Sequence, residues 1–148
     1  MRLTESDRKE PAVPYLHNYR LFVSHAWGYS ERYLRAVQFL NNAPNLSWSN
    51  YSVPVDGAYP RMSNSALKDA LRNQIRPVQC VVVVSGMYIN HSDWIQFEME
   101  YAKSLGKPIL GIRRWGAQRT PEQVISYADE MVNWNSASIV EAIRRLVP

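Results

Sequence analysis

Cysteine is nearly absent from the chain: Cys80 stands alone among 148 residues. An internal disulfide is therefore excluded, and the protein cannot be a small cystine-stapled scaffold. Cys80 sits in the apolar run CVVVV, where a buried, inert thiol is expected. Long apolar runs are also missing. Nothing approaches the 18 or so consecutive apolar residues of a membrane-spanning helix. The first residues, MRLTESDRKE, hold no apolar stretch of the kind a secretory leader needs. The expectation is a cytoplasmic protein with no membrane association. Histidines number three, and His17, His25 and His91 have no neighbouring ligand at metal spacing, so no metal site is expected. Glycines number six. There is neither a G-x-G-x-x-G turn after the first strand nor a lysine-bearing phosphate loop, which removes the two commonest nucleotide cradles. Charge is not massed either. The net charge is +4, with Arg20, Arg61, Arg72, Arg76, Arg113, Arg114, Arg144 and Arg145 scattered along the chain. The compact basic stripe of a nucleic-acid binder is missing, and no nucleic-acid partner is expected.

What is present is an ordinary globular composition, 46% hydrophobic and 20% charged, sufficient for one packed domain. Residues 1–18 lack periodicity and read as an N-terminal arm, flexible or loosely docked, ahead of a domain over 19–148. Strands are expected at 19–24, 46–55, 78–86, 107–115 and 131–134. Helices are expected at 31–43, 65–76, 93–105, 120–130 and 136–147. Loop 56–65 is rich in turn residues. The run VQCVVVVSG implies a strand buried on both faces, as in the middle of a parallel sheet. Strict alternation of strand and helix indicates an α/β fold: a flavodoxin-like three-layer α/β/α sandwich around a five-stranded parallel sheet. Such sheets bind ligands outside the carboxyl ends of the strands, near the point where strand order reverses.

That rule directs attention to a short set of residues. The first strand ends in Ser24, His25, Ala26 and Trp27. The third delivers Ser85, Gly86 and Tyr88, then Asn90 and His91. A helix follows in SDWIQFEMEY, with Ser92 or Asp93 as its expected cap and Trp94, Phe97 and Tyr101 as its apolar stripe. It carries two glutamates two positions apart, which cannot share a face. Turning about 100° per residue from Trp94, Tyr101 and Leu105 fall within roughly 20°, and Glu98 at about 40°, inside the apolar arc. Glu100 lands about 120° away, on the polar side. An inward carboxylate must be paired, hydrogen-bonded or lining a pocket. Two readings of Glu98 stand at this point: an ion pair with an arginine such as Arg61 or Arg113, or a carboxylate in a ligand site. Trp27 and Trp94 are equally open, as packing residues or as walls of a site.

The motifs FVSHAW, VVVVSGMYINHS, DWIQFEMEYA, GKPILGIRRWG and VNWNSASIVEAIR, in that order, resemble the TIR-like family, above all the TIR subunits of bacterial Thoeris anti-phage systems. The resemblance covers about residues 19–147, and its most specific part is Trp94 followed four residues later by Glu98. It implies an enzyme that cleaves the nicotinamide–ribose bond of NAD⁺, with Glu98 as the catalytic carboxylate. It makes Ser24, His25, Ala26 and Trp27 the loop bordering the nicotinamide side of the pocket, with Trp94 packed beside it. NAD⁺ is then a substrate, and no permanently bound cofactor is implied. The product would be ADP-ribose or a cyclic or conjugated derivative that diffuses to a partner effector. The 56–65 loop occupies the place of a loop that governs self-association in the family. Two alternatives remain: a non-catalytic TIR-like interaction module, and a plain flavodoxin-like nucleotide binder, which SHAWGYS fits poorly.

Overall fold

The computed structural model describes residues 17–24, 31–52, 63–84, 88–113 and 122–148. The strands are β1 (Asn18–Val23), β2 (Ser47–Asn50), β3 (Cys80–Val84), β4 (Ile109–Ile112) and β5 (Glu130–Val132). The helices are α1 (Glu31–Asn42), α2 (Asn64–Ile75), α3 (Tyr88–Ser104), α4 (Glu122–Tyr127) and α5 (Ser136–Leu146). All five strands run parallel, in the order β2-β1-β3-β4-β5. This is the flavodoxin-like α/β sandwich that the alternating pattern predicts. The order reverses between β1 and β3, so the carboxyl ends of these two strands form the ligand-binding crevice of such a sheet.

The central strand CVVVV and its neighbour ILGI are buried at every position, because a parallel sheet between two helix layers offers no wet face. Leu67, Leu71 and Ile75 seal α2 onto it, and Ile139, Ala142 and Ile143 seal α5. Each of these two helices starts on a side-chain cap. The Ser63 hydroxyl accepts from the Ala66 N–H at 3.1 Å, and the Asn135 side-chain Oδ1 accepts from the Ser138 N–H at 3.0 Å, satisfying donors the helix leaves open. Gly106 ends α3 with φ of 71°, a conformation glycine adopts without steric cost. Among the described residues no helix is long and apolar enough to cross a membrane.

Several boundaries differ from expectation for identifiable reasons. Helix α3 starts at Tyr88, not near Ser92 or Asp93. No glycine or proline interrupts 88–104, so the helix runs back through Asn90 and His91, which therefore lie on its first turn and not in a connecting loop. Its fully buried line is Ile95, Glu98, Met99 and Ala102, whereas Trp94, Phe97 and Tyr101 are half-buried. Aromatic bulk centres the expected arc near Trp94; the tetrad i, i+3, i+4, i+7 fixes it about one position over. Leu105 is exposed, as is Leu34 of α1, whose buried side is Tyr33, Ala36 and Leu40. Helix α4 stops at Tyr127 and not at residue 130 because Asp129 is committed elsewhere. Its backbone N–H donates to the Ile109 carbonyl, and its carboxylate accepts from the Ile109 N–H, each at 2.8 Å. Strand β2 is shorter than expected, and beyond its end Ser52 continues the pairing by accepting from the Val23 N–H at 2.7 Å. The 1–18 arm, up to residue 16, and most of loop 56–65 lie outside the described residues.

Two features yield tests of the packing. A methyl group on Gly111 would stand 2.3 Å from Met131 Sδ. Gly111→Ala must displace the flexible end of Met131, and is expected to lower unfolding free energy by about 1 kcal/mol in a urea titration. Burial pushes the Cys80 thiol up to about 12. Iodoacetamide at about pH 8 should leave the native protein unlabelled and add one adduct only after unfolding, as read by intact mass.

Candidate active site

One buried serine stands at the crevice between β1 and β3. Ser24 directly follows the buried Leu21-Phe22-Val23 end of β1, and its N–H donates to the Val82 carbonyl of β3 at 2.9 Å. This bond holds Ser24 at the point of strand reversal with its side chain turned away from solvent. The Ser24 hydroxyl donates to Glu98 Oε1 at 2.6 Å, the length of a hydroxyl bonded to a charged carboxylate. Both side chains are fully buried.

Glu98 sits in the third turn of α3, between Ile95, Met99 and Ala102. Its second oxygen, Oε2, is buried with no hydrogen-bond partner among the described residues. Such a group normally costs free energy, and a native site that keeps one calls for a reason. Burial raises the Glu98 carboxyl to about 7, against the lowering effect of the Ser24 bond. Near neutral pH it is therefore divided between charged and neutral forms, the range in which a carboxyl can act in acid–base or electrostatic catalysis. The ion-pair reading does not hold for Arg113, which is exposed. The ion pairs among the described residues are Arg72–Asp69, Lys103–Asp129 and Arg145–Glu130; Arg61 lies outside them. Glu100 is exposed, as its helical angle predicts, and accepts from Gln96 Nε2 at 2.9 Å and from the Tyr127 hydroxyl at 3.1 Å.

This stretch of chain has a recognisable counterpart. Residues 22–119 match the family model of the Thoeris protein ThsB, TIR-like domain. The chain belongs to the ThsB TIR-like domain family. The match includes both members of the Ser24–Glu98 pair. Among solved structures, this TIR-like domain is similar to the CMP N-glycosidase BcmB of Clostridium botulinum. The TM-score is 0.51 at 13% identity, over 85% of this chain and 98% of that one. At that identity the likeness is one of fold. No functionally curated protein matches the TIR-like domain in sequence.

Of the residues singled out from the sequence, the TIR-like domain brings Ser24 and Glu98 together across 74 positions. Trp94 lies half-buried on α3, one turn before Glu98, packed against the core. His25, Ala26 and Trp27 lie outside the described residues, as do Ser85 and Gly86. Two supports were missed. One is the Ser24–Glu98 bond itself, for which the only signal is that Ser24 follows an apolar strand. The other is Ser52, which pins Val23 beside Ser24 and is oriented in turn by its N–H donating to Asn50 Oδ1 at 2.8 Å; nothing local in LSWSNYS announces it. Among the described residues no group of three or more His, Cys, Asp or Glu is placed to hold a metal ion.

Proposed function

We propose that this TIR-like domain cleaves the nicotinamide–ribose bond of NAD⁺, with Glu98 as the catalytic carboxylate. The observation that carries the proposal is the buried, half-satisfied carboxylate at the strand-reversal crevice. Family membership supports it, and so does the glycosidase chemistry in the name of the structural neighbour.

The chemistry needs little machinery. Heterolysis of the C1′–N bond sends the electron pair to the nicotinamide ring nitrogen, and the pyridinium leaves as neutral nicotinamide. No general acid is required. Positive charge develops on the ribose, in an oxocarbenium-like state of the kind met in glycoside cleavage. An ionised Glu98 in a site of low dielectric stabilises that charge, and Oε2 is the oxygen left for the substrate. The acceptor then decides the product. Water bonds to C1′, releases a proton and gives ADP-ribose. An adenine nitrogen or a ribose hydroxyl of the same molecule gives a cyclic isomer.

In this reading Ser24, His25, Ala26, Trp27 and Trp94 border the substrate. The product is a cyclic or conjugated ADP-ribose signal made in the cytoplasm that activates a partner effector in anti-phage defence. Loop 56–65 serves self-association. The test is mass spectrometry of nucleotides after purified protein, or lysate of phage-challenged cells carrying it, meets NAD⁺. Free nicotinamide with an equimolar ADP-ribose-derived species is expected. No nicotinamide from either preparation contradicts the proposal, and release of cytosine in a parallel arm with CMP redirects it to a nucleotide N-glycosidase.

A further inference from the structure

We propose that Ser24 is a positioning residue that sets both the orientation and the charge state of Glu98, and does not bind substrate through its hydroxyl proton. The proposal deepens the catalytic reading of Glu98 and rests on it for its functional meaning. The geometry carries it. A serine hydroxyl has one proton to donate, and Ser24 gives it to Glu98 Oε1 at 2.6 Å. The hydroxyl is fully buried and its backbone is fixed by the Val82 carbonyl at 2.9 Å. The preceding residue, Val23, is fixed in turn by Ser52. The donor is thus held by the backbone of β1 and β3 and by the Ser52 hydroxyl beyond β2, while Glu98 comes from α3. One carboxylate oxygen is immobilised, and the other, Oε2, is buried without a hydrogen-bond partner among the described residues.

The same bond biases ionisation, since a donor stabilises the charged carboxylate and contributes nothing comparable to the neutral acid. The Ser24 bond is the described contact that opposes burial at Glu98. Among the described side chains, the other charged and titratable groups on the packed elements are exposed or have contacts of their own. From α2, Lys68 and Arg72 stand over the Phe97 ring at 5.5 and 5.2 Å, and Asp69 pairs with Arg72. On α3, Asp93 is exposed, Glu100 accepts from Gln96 and from Tyr127 of α4, and Lys103 pairs with Asp129. Tyr101 stacks on Phe97. From the sheet, β1 supplies Tyr19 and Arg20, whose guanidinium donates to the Pro77 carbonyl, and β3 supplies Cys80.

The experiment is a ¹³C NMR titration of the full chain carrying labelled glutamate. The Glu98 carboxyl signal is assigned by its loss in Glu98→Gln. Wild type, Ser24→Ala and Ser24→Thr are compared. The Glu98 midpoint should rise in Ser24→Ala by about one to two pH units and return close to wild type in Ser24→Thr. NAD⁺ turnover of Ser24→Ala near neutral pH should fall about 5- to 50-fold through kcat, with KM little changed, and recover as the pH is raised. An unmoved midpoint in Ser24→Ala overturns the proposal, as does a loss of turnover that sits in KM and does not recover at high pH. If Ser24→Ala does not fold, Ser24→Cys, a weak donor of similar size, is read by the same two outcomes. The titration needs no turnover, so it is separable from the catalytic reading. An active Glu98→Gln defeats that reading whether or not the Ser24 midpoint moves.

Discussion

Glu98→Gln is expected to lower NAD⁺ cleavage by about 10³-fold or more, with the fold intact. The estimate corresponds to about 4 kcal/mol of lost transition-state stabilisation, the scale observed when one preorganised electrostatic group is removed from an enclosed site. Glutamine suits the test because it keeps the shape and an oxygen for the Ser24 hydroxyl, and removes only the charge. The loss should fall on kcat, since the positive charge on the ribose develops during bond breaking. Glu100→Gln, two residues on and exposed, should leave turnover unchanged. Nicotinamide release, followed by chromatography on matched samples, measures both. In the wild type, kcat/KM should fall as the pH drops through about 7, because the carboxylate and not the acid does the work.

The same substitution should change how stability depends on pH. The folded-state pKa of Glu98 is raised from 4.5 to about 7. Between those values the native protein holds a proton that the unfolded chain has released, so this group's contribution to stability falls as pH rises through the window. The wild type should therefore lose on the order of 2–3 kcal/mol relative to Glu98→Gln between about pH 5 and pH 8. Urea titrations at the two pH values give the difference directly. A buried carboxylate that destabilises its own fold at working pH is the pattern of a group retained for function.

The sequence made much of this arrangement readable. CVVVV could hardly be anything but a strand between two helix layers, and its place in an alternating series implied the parallel sheet. Helical geometry alone separates Glu98 from Glu100, since residues two apart point to different sides. The start of α3 at Tyr88 was not readable, because Asn90, His91 and Ser92 have weak preferences and look like a turn. The exact buried line was misplaced toward Trp94 and Tyr101, because large aromatics fill the flank of a helix as readily as its centre. Least readable was the partner of Glu98. Pattern alone offered arginines, and the structure supplies a serine 74 residues away. Contacts of that separation depend on strand order, and strand order is not written in local periodicity.

The most direct test is the structure of Glu98→Gln with NAD⁺ bound, since a variant that breaks the bond this slowly should hold the intact substrate. The nicotinamide-side ribose should lie within hydrogen-bonding distance of the residue 98 amide, outside the carboxyl ends of β1 and β3. NAD⁺ seated away from residue 98, or bound with the adenine end at that position, would contradict it.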